Sequence, residues 1–370
     1  MKFTRILPVT TLILFSLSGV RAQTATSRIV SAANSFLSTL DQNQKQRVLF
    51  AFDDREQRTR WSNFPISIVP RAGLSMGELS AAQRTAAMTL VSSALSSRGF
   101  GKVQQIMDGD EVLKTTEGNQ QGRGGPPQGR GPGGPPPGNA GRGRGRGGPG
   151  GGLLFGKDLY YISILGKPSE KDPWILQFGG HHLALNITIV GERGILTPTL
   201  TGAQPALYTL NGKTVRPLGA ESDKALALLN LLDENQRKQA ILGFQMADLV
   251  LGPGQDGKTI QPEGLKASGM NDKQRAMLLD VMAEWAGIVH EREAAIRMAE
   301  LKAELNETWF AWSGPVTAAP GSNITAYYRI QGPHVVIEYA PQEMGGDPAL
   351  HVHTMYRDPT NDYGRRLVAK

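Results

Sequence analysis

The chain contains no cysteine among its 370 residues. This absence excludes disulfide bonds, thiolate metal sites and a lipid attached through a cysteine, so the fold must be held by its core. Long apolar runs are also missing after the first 22 residues, and we therefore expect no membrane span in the mature chain. About 315 residues remain outside the two segments described next, which is ample for one large or two ordinary domains.

Acidic residues are absent from residues 118–152, a segment with 17 of the 45 glycines, seven prolines and five arginines. Without these arginines and the three basic residues of the first 22 positions, the formal net charge of +7 becomes −1. The rest of the chain is therefore nearly neutral, and we expect it to have no basic surface for nucleic acid. We interpret residues 118–152 as a disordered, solvated insertion, because it has too little apolar surface to fold. The alternative is that the arginine-glycine repeats of this segment bind an anionic polymer weakly.

The first 22 residues have the composition of an export signal. Lys2 and Arg5 form a basic start, residues 6–20 are apolar but short for a bilayer, and residues 20–22 fit the small-x-small cleavage pattern. We therefore predict cleavage after Ala22 and an exported protein, periplasmic or extracellular. An uncleaved membrane anchor is the alternative.

Two stretches of the chain recur at nearly the same offset. Residues 37–45 match residues 229–237, 192 positions later, and residues 73–84 match residues 264–275, 191 positions later. We interpret this pattern as an internal duplication. Each stretch also places a capping side chain three residues before a glutamine, which predicts a helix start with a capping box. The predicted caps are Asp41, Ser80, Asp233 and Asn271.

Segments rich in β-branched and aromatic residues follow the helical stretches of each half and predict strands. We therefore predict an α+β fold with two halves, each a helix pair followed by antiparallel strands, packed as two layers around a pseudo-twofold axis. The predicted parts are a signal peptide (1–22), the helical part (23–117) and strand part (153–218) of the first half, the insertion between them (118–152), and the second half (219–370).

Five of the six histidines fall in three of these strand segments. His181 and His182 lie in GHHLALN, His334 lies in the similar GPHVVIE, and His351 and His353 lie in LHVHTM. Alternate residues of a strand share a face, so the last two imidazoles are expected about 7 Å apart, a spacing that two ligands of one ion accommodate. Imidazoles together with a carboxylate are typical of transition-metal sites.

We therefore predict a site for one divalent transition metal: zinc, copper or iron. The predicted ligands are His182, His351, His353 and Glu338, with His181 and His334 in reserve. Second-shell partners are needed to orient imidazoles, and the candidates are Asn186, Tyr339 and Asp358. The alternative is that each histidine is structural and only hydrogen-bonded.

The candidate catalytic residues are Glu338, Arg357 and Asp358. Arg357 could clamp a carboxylate or phosphate, and Asp358 or Asp362 could act as a base. In the structural alternative, a turn begins at Asp358 and an Arg357–Asp362 ion pair pins the C-terminal segment.

Metal-assisted hydrolysis is the first functional hypothesis, acting on a small-molecule or glycan ligand. A second hypothesis is a non-catalytic envelope module that binds a glycan or protein on aromatic strand residues. A third is an oxidoreductase with copper or iron on the same ligands. The aromatic residues of the second hypothesis are Trp174, Trp309, Trp312, Tyr327 and Tyr328.

A set of motifs along the chain resembles the bacterial "domain of unknown function 3500" family. They are YYISILGKP, GGHHLALN, TPTLTGAQPA, LLDENQR, FAWSGP, YYRIQGP, IEYAPQ and HVHTMYRDPTNDYG. The resemblance covers nearly all of the chain after residue 22 except the glycine-arginine segment. It implies an exported or envelope-associated protein, and it supplies no catalytic assignment. The family pattern maps onto residues 180–186, 337–338 and 351–364.

Overall fold

The computed structural model describes residues 24–117, 153–344 and 346–368, so the predicted signal and the 118–152 insertion lie outside the described residues. The helices in the described ranges are α1 (Ala25–Ser38), α2 (Gln42–Val48), α3 (Arg55–Thr59), α4 (Ala81–Ala94), α5 (Ser97–Glu117), α6 (Gly219–Leu231), α7 (Glu234–Ala240), α8 (Asp272–Ala286), α9 (Glu291–Ala303) and α10 (Arg365–Val368). The strands there are β1 (Leu49–Phe50), β2 (Leu74–Ser75), β3 (Tyr161–Leu165), β4 (Trp174–Gly180), β5 (Leu183–Val190), β6 (Arg193–Ile195), β7 (Thr199–Ala203), β8 (Tyr208–Leu210), β9 (Lys213–Val215), β10 (Leu265–Lys266), β11 (Trp309–Ser313), β12 (Tyr327–Gly332), β13 (Val335–Pro341) and β14 (Val352–Arg357).

Twelve of these strands form one sheet in the order β1-β3-β4-β5-β7-β14-β13-β12-β11-β10, with β2 on β3 and β6 on β5. Every pairing in the sheet is antiparallel except β1 with β3. Helices and a large sheet thus confirm the predicted α+β class. At the centre, β7 pairs with β14, where Gly202 lies opposite His353.

Helices cover one face of the sheet with a continuous apolar core. Trp285 of α8 is fully buried, and its indole nitrogen donates to the Thr354 hydroxyl of β14 at 3.0 Å. Tyr328 stacks on Trp312 and on Tyr339 in the same layer. Four of the five predicted aromatic residues are therefore buried; Trp174, Trp312, Tyr327 and Tyr328 are at most 1 % exposed, whereas Trp309 is partly exposed.

Two mostly irregular segments, residues 51–73 (which include α3) and 241–264, bind side chains on the opposite face of the sheet. Gln57 donates to Gln177 of β4 at 3.1 Å in the first segment. In the second, the carbonyls of Leu251 and Gly252 accept hydrogen bonds from Arg357 of β14 at 2.6 and 2.9 Å. The prediction of two layers omitted this third layer, because irregular segments carry no periodic pattern.

All four predicted capping boxes are present. At Asp41, Ser80, Asp233 and Asn271 the cap side chain accepts from the amide three residues on, and the glutamine side chain accepts from the cap amide. The glutamines also bind one another in pairs, Gln83 donating to Gln44 at 2.8 Å and Gln274 donating to Gln236 at 2.7 Å. These pairs lock neighbouring helix starts together, which explains why glutamine recurs there.

No helix within the described ranges is long and apolar enough to cross a bilayer.

We expect the contributions of Gln236 and Gln274 to the free energy of unfolding to be coupled. Each of Gln236→Ala and Gln274→Ala removes the acceptor of the cap amide and the bond between the two side-chain amides, and should lower the free energy of unfolding by about 1–2 kcal/mol. The double variant should lose at least about 0.5 kcal/mol less than the sum, because the residues share their bonds. Urea unfolding of the four proteins measures this coupling, and strictly additive losses would contradict it.

Candidate metal centre

Three histidines that are distant in sequence meet at one point in the structure. The Nε2 atom of His182 lies 2.9 Å from that of His351 and 3.2 Å from that of His353, and the last two are 3.1 Å apart. His182, His351 and His353 form a triad and are only 2, 7 and 5 % exposed, respectively. Within the described residues this is the group whose ligand atoms converge closely enough to hold a metal ion.

Strand pairing produces this convergence. His351 precedes β14 and His353 lies in it, opposite Gly202 of β7. His182 belongs to the two-residue turn between β4 and β5, and β5 pairs with the other edge of β7. The turn therefore lies over β7 and reaches β14. The prediction that His181 and His182 lie on a strand is wrong, because the chain reverses at these two residues.

The backbone of His182 is held in an unusual conformation. Its φ of 59° is left-handed, a region that residues with a Cβ adopt rarely and usually at functional or tightly constrained positions. Its amide donates to the Asn63 carbonyl at 3.3 Å, and its carbonyl accepts from the Gly202 amide at 2.7 Å. These two bonds fix the imidazole above β7.

The opposite ring nitrogens are bound by groups that can only accept hydrogen bonds. His351 Nδ1 lies 2.5 Å from the Met344 carbonyl oxygen, and His353 Nδ1 lies 3.4 Å from an Asp248 carboxylate oxygen. The carbonyl places the proton of His351 on Nδ1, and the carboxylate favours the same tautomer of His353, which leaves a lone pair on each Nε2. The Asn63 amide nitrogen lies almost equally far from both nitrogens of His353, at 3.3 and 3.4 Å, so it packs against the ring instead of fixing its tautomer.

Burial keeps the three imidazoles neutral. It is the main cause that lowers the pKa of His182 well below its usual value, and the neighbouring histidines add to the effect. The pKa of His351 falls to about 4, again mainly through burial. That of His353 is also lowered by burial, although the Asp248 carboxylate opposes the change. Neutral imidazoles are the form in which histidine binds a metal.

The geometry fits a transition-metal ion. A tetrahedral ion with bonds of about 2.0–2.1 Å separates its nitrogen ligands by about 3.3 Å, close to the spacings of the three Nε2 atoms. Among the described residues no fourth histidine or carboxylate joins the group. Three protein ligands with one position left for water are typical of catalytic zinc sites, whereas structural sites have four protein ligands.

Glu338, the fourth predicted ligand, is bound elsewhere. Its register partner on β14 is Met355, two residues beyond His353. One carboxylate oxygen accepts from the Val250 amide at 2.7 Å and from the Tyr327 hydroxyl at 2.8 Å, and the other accepts from the Leu251 amide at 2.8 Å. This carboxylate anchors the segment 241–264 to the sheet, so its predicted ligand and catalytic roles do not fit the structure.

The two reserve ligands have separate positions. His181 stacks on His182 with ring centroids 3.7 Å apart, and its Nδ1 lies 2.7 Å from an Asp110 carboxylate oxygen. It therefore supports the triad from the side. His334 occupies the turn between β12 and β13, and its Nδ1 lies 2.6 Å from a Glu304 oxygen. Six residues of strand, or about 20 Å, separate it from the register partner of His353.

The predicted second-shell residues do not contact the triad. The Asn186 side chain donates to the Pro198 carbonyl at 2.8 Å and accepts from Gln177 at 2.8 Å. Tyr339 stacks in the core on the helix side of the sheet. Met344 and Asp248 orient the imidazoles instead. Both lie in irregular segments, where no sequence pattern indicated them.

The predicted substrate clamp, Arg357, is a structural residue. Its guanidinium is 1 % exposed and binds the carbonyls of the 241–264 segment together with Asp256 and Asp362, the latter at 2.8 Å. This is the ion pair of the structural alternative. Asp358 likewise accepts from the Thr360 amide and hydroxyl in a turn, so neither residue faces the triad.

The turn and strand that carry the triad lie within a match to a known family. The family model described as "Protein of unknown function (DUF3500)" matches residues 22–365. The chain belongs to this family. DUF3500 membership confirms the resemblance predicted from the motifs and covers both the triad and its second shell. No curated protein and no solved structure matches the chain.

We expect Gly202→Ala to disturb the triad. A Cβ at this residue would lie 2.7 Å from the Val352 carbonyl oxygen and 3.2 Å from Cδ2 of His182, so the turn must shift. The variant should lose about 1–3 kcal/mol of stability, as overpacked sites do. Gly101→Ala is the control, because its added Cβ meets nothing within 4 Å and a helix favours alanine. Thermal unfolding compares the two; equal stability would show that the close approach is unimportant.

Proposed function

We propose that this protein is an exported metal-binding protein whose three-histidine centre, His182, His351 and His353, holds one divalent transition metal and promotes hydrolysis. One observation carries the proposal. The Nε2 atoms of His351 and His353 each present a lone pair, lie 3.1 Å apart and are both within 3.2 Å of His182 Nε2.

Two facing lone pairs in a buried site repel each other unless a donor or a cation lies between them. A cation at the point where the three Nε2 atoms converge removes that repulsion and uses all three lone pairs. The carboxylate of Asp248 and the carbonyl of Met344 then act as second-shell acceptors, an arrangement typical of metal-bound histidines. The tautomers set by these acceptors thus support metal binding more strongly than the presence of histidine alone.

The ligand number favours hydrolysis among the reactions of such a metal. An ion with three histidine ligands retains a position for water and lowers the pKa of that water toward neutrality. A copper or iron oxidoreductase would use the same ligands and would be coloured or paramagnetic. The non-catalytic glycan module has less support, because four of its five aromatic residues are buried.

We further propose that the chain arose by internal duplication. The capping boxes at Asp41 and Ser80 have counterparts 192 and 191 positions later. Gly73 and Gly264 both have positive φ, and a Cβ at either would lie within 2.4 Å of a backbone carbonyl oxygen on β3 or β11. The hairpin turns in GHHLALN and GPHVVIE are then equivalent, and the first carries a triad ligand.

We expect the untagged protein to bind about one equivalent of zinc, copper or iron. The His351→Ala/His353→Ala variant should retain less than about a tenth of it, because two of three ligands are gone. His334→Ala and His290→Ala are the controls and should keep the metal. Elemental analysis after gel filtration gives the result, and circular dichroism verifies folding of each variant. Equal and negligible metal in the wild type and the double variant would overturn the proposal.

Zinc added back to metal-stripped protein should raise its melting temperature. At a free zinc concentration a hundredfold above Kd, mass action contributes about 2.7 kcal/mol to stability. The reloaded protein should also hydrolyse p-nitrophenyl acetate or bis(p-nitrophenyl) phosphate, whereas the stripped protein and the double variant should not. If zinc stabilises the protein but neither ester is hydrolysed, the result would support the metal centre and refute the hydrolytic function.

A further inference from the structure

The side chain of Asn63 lies beside the triad and is buried, with 6 % exposure. Its amide nitrogen is 3.3 Å from Nδ1 of His353 and 3.4 Å from Nε2. In the tautomer that Asp248 favours, Nδ1 carries a proton and the Nε2 lone pair faces the other two Nε2 atoms of the triad. The imidazole is therefore a poor acceptor, and no other described residue accepts from this amide. A buried donor needs an acceptor, so one belongs at this position.

The loop that carries Asn63 is held in place by Arg71. One nitrogen of its guanidinium, Nη2, donates to the carbonyls of Ser62 and Phe64, on either side of Asn63, at 2.7 Å each. The carbonyl of Asn63 itself accepts from the His182 amide at 3.3 Å. The amide is thus fixed relative to the triad before any ligand binds, which is the condition that a preorganised catalytic donor must meet.

The position and charge of this donor favour a neutral carbonyl group as its acceptor. An ion bound to His353 Nε2 would lie within about 5.5 Å of the Asn63 amide nitrogen, since a metal–nitrogen bond is about 2.1 Å long. A carbonyl oxygen beside that ion is then within reach of the amide. The charged side chain that contacts the triad is an acid, Asp248, and Arg71 is occupied by backbone carbonyls. A phosphate would instead require basic partners.

Exposed apolar side chains border the triad where it approaches the surface. His351 is the most exposed of the three imidazoles. Leu350 precedes it in the chain, and the Met344 carbonyl accepts from its Nδ1; these two residues are 37 and 73 % exposed. Phe64, next to Asn63, is 43 % exposed. We call Phe64, Met344 and Leu350 the apolar rim. Apolar groups left exposed beside a site favour a ligand with an apolar part.

Building on the hydrolytic function proposed above, we propose that the centre cleaves a neutral acyl compound, a carboxylic ester or amide whose acyl group lies on the apolar rim. The water oxygen adds to the carbonyl carbon, and the electron pair of the C=O bond moves onto the carbonyl oxygen, which accepts from the Asn63 amide. When this pair returns, the bond to the leaving oxygen or nitrogen breaks. The two protons of the water end on the carboxylic acid and on the alcohol or amine.

Zinc-loaded protein and three substrates test the substrate class: p-nitrophenyl acetate, p-nitrophenyl hexanoate and bis(p-nitrophenyl) phosphate. We expect kcat/KM to be at least about tenfold higher for the hexanoate than for the acetate, because the rim covers part of the four additional methylene groups. The phosphodiester should be the slowest of the three. Equal values for the two acyl lengths, or faster cleavage of the phosphodiester than of both esters, would overturn the proposal.

Asn63→Leu removes the donor at similar size. It should lower kcat/KM for the hexanoate about a hundredfold, as loss of an oxyanion donor does, with unchanged zinc content and circular dichroism. Phe64→Ser should lower kcat/KM for the hexanoate and leave the acetate unchanged. Phe244→Ser is the matched control, because Phe244 is 51 % exposed and its carbonyl binds Ser313 of β11, three strands from β14. Wild-type kcat/KM in zinc-loaded Asn63→Leu would overturn the role of the amide.

Binding of uncleaved analogues distinguishes this proposal from the hydrolytic function. Acetohydroxamate and hexanohydroxamate both present a carbonyl oxygen, and isothermal titration of zinc-loaded protein gives their Kd. The hexanoyl compound should bind at least about tenfold more tightly than the acetyl compound, and Asn63→Leu should weaken its binding about tenfold. This pattern without hydrolysis of any ester would refute the hydrolytic function and retain the acyl site. Equal binding of both compounds, unaffected by Asn63→Leu, would refute the acyl site.

Discussion

The antiparallel pairing of β7 with β14 is the constraint on which the rest of the structure depends. It joins residues that are 153 positions apart, as at the Thr201–Thr354 hydroxyl contact of 2.7 Å, and it makes two groups of strands into one sheet. At one end of β14 it brings His351 and His353 to the turn that carries His182. At the other end the same strand contributes Tyr356 to the wall of a cavity of about 310 Å³.

Buried charges on the face of the sheet opposite the helices mainly hold the irregular 241–264 segment in place. Glu338 accepts three hydrogen bonds and Arg357 donates four, largely to the 241–264 segment. A buried charge is tolerated only when such partners satisfy it. The buried charges of Glu338 and Arg357 therefore anchor this segment to the sheet. Asp248 belongs to the same segment, and the anchoring holds it beside the triad.

Local patterns were sufficient for much of the fold and for part of the site. The capping boxes and most strands were predictable because their signals lie within a few residues, and the triad followed from the concentration of histidines. The two-residue turn at His182 was missed, since its left-handed backbone has no marker in GHHL. Glu338 was assigned wrongly because its partners are backbone amides some 88 positions away. The roles of Met344 and Asp248 depend on loop geometry that only tertiary packing determines.

The order of the strands along the chain has a consequence for biosynthesis. β14 follows the other thirteen strands of the described chain, yet it occupies the middle of the sheet, and His353 within it and His351 just before it are two of the three clustered imidazoles. A nascent polypeptide lacking this strand has two sheet fragments with unpaired edges and a single imidazole from the triad. The three imidazoles therefore converge only after β14 has been synthesised, so the sheet and the triad are both completed late in biosynthesis.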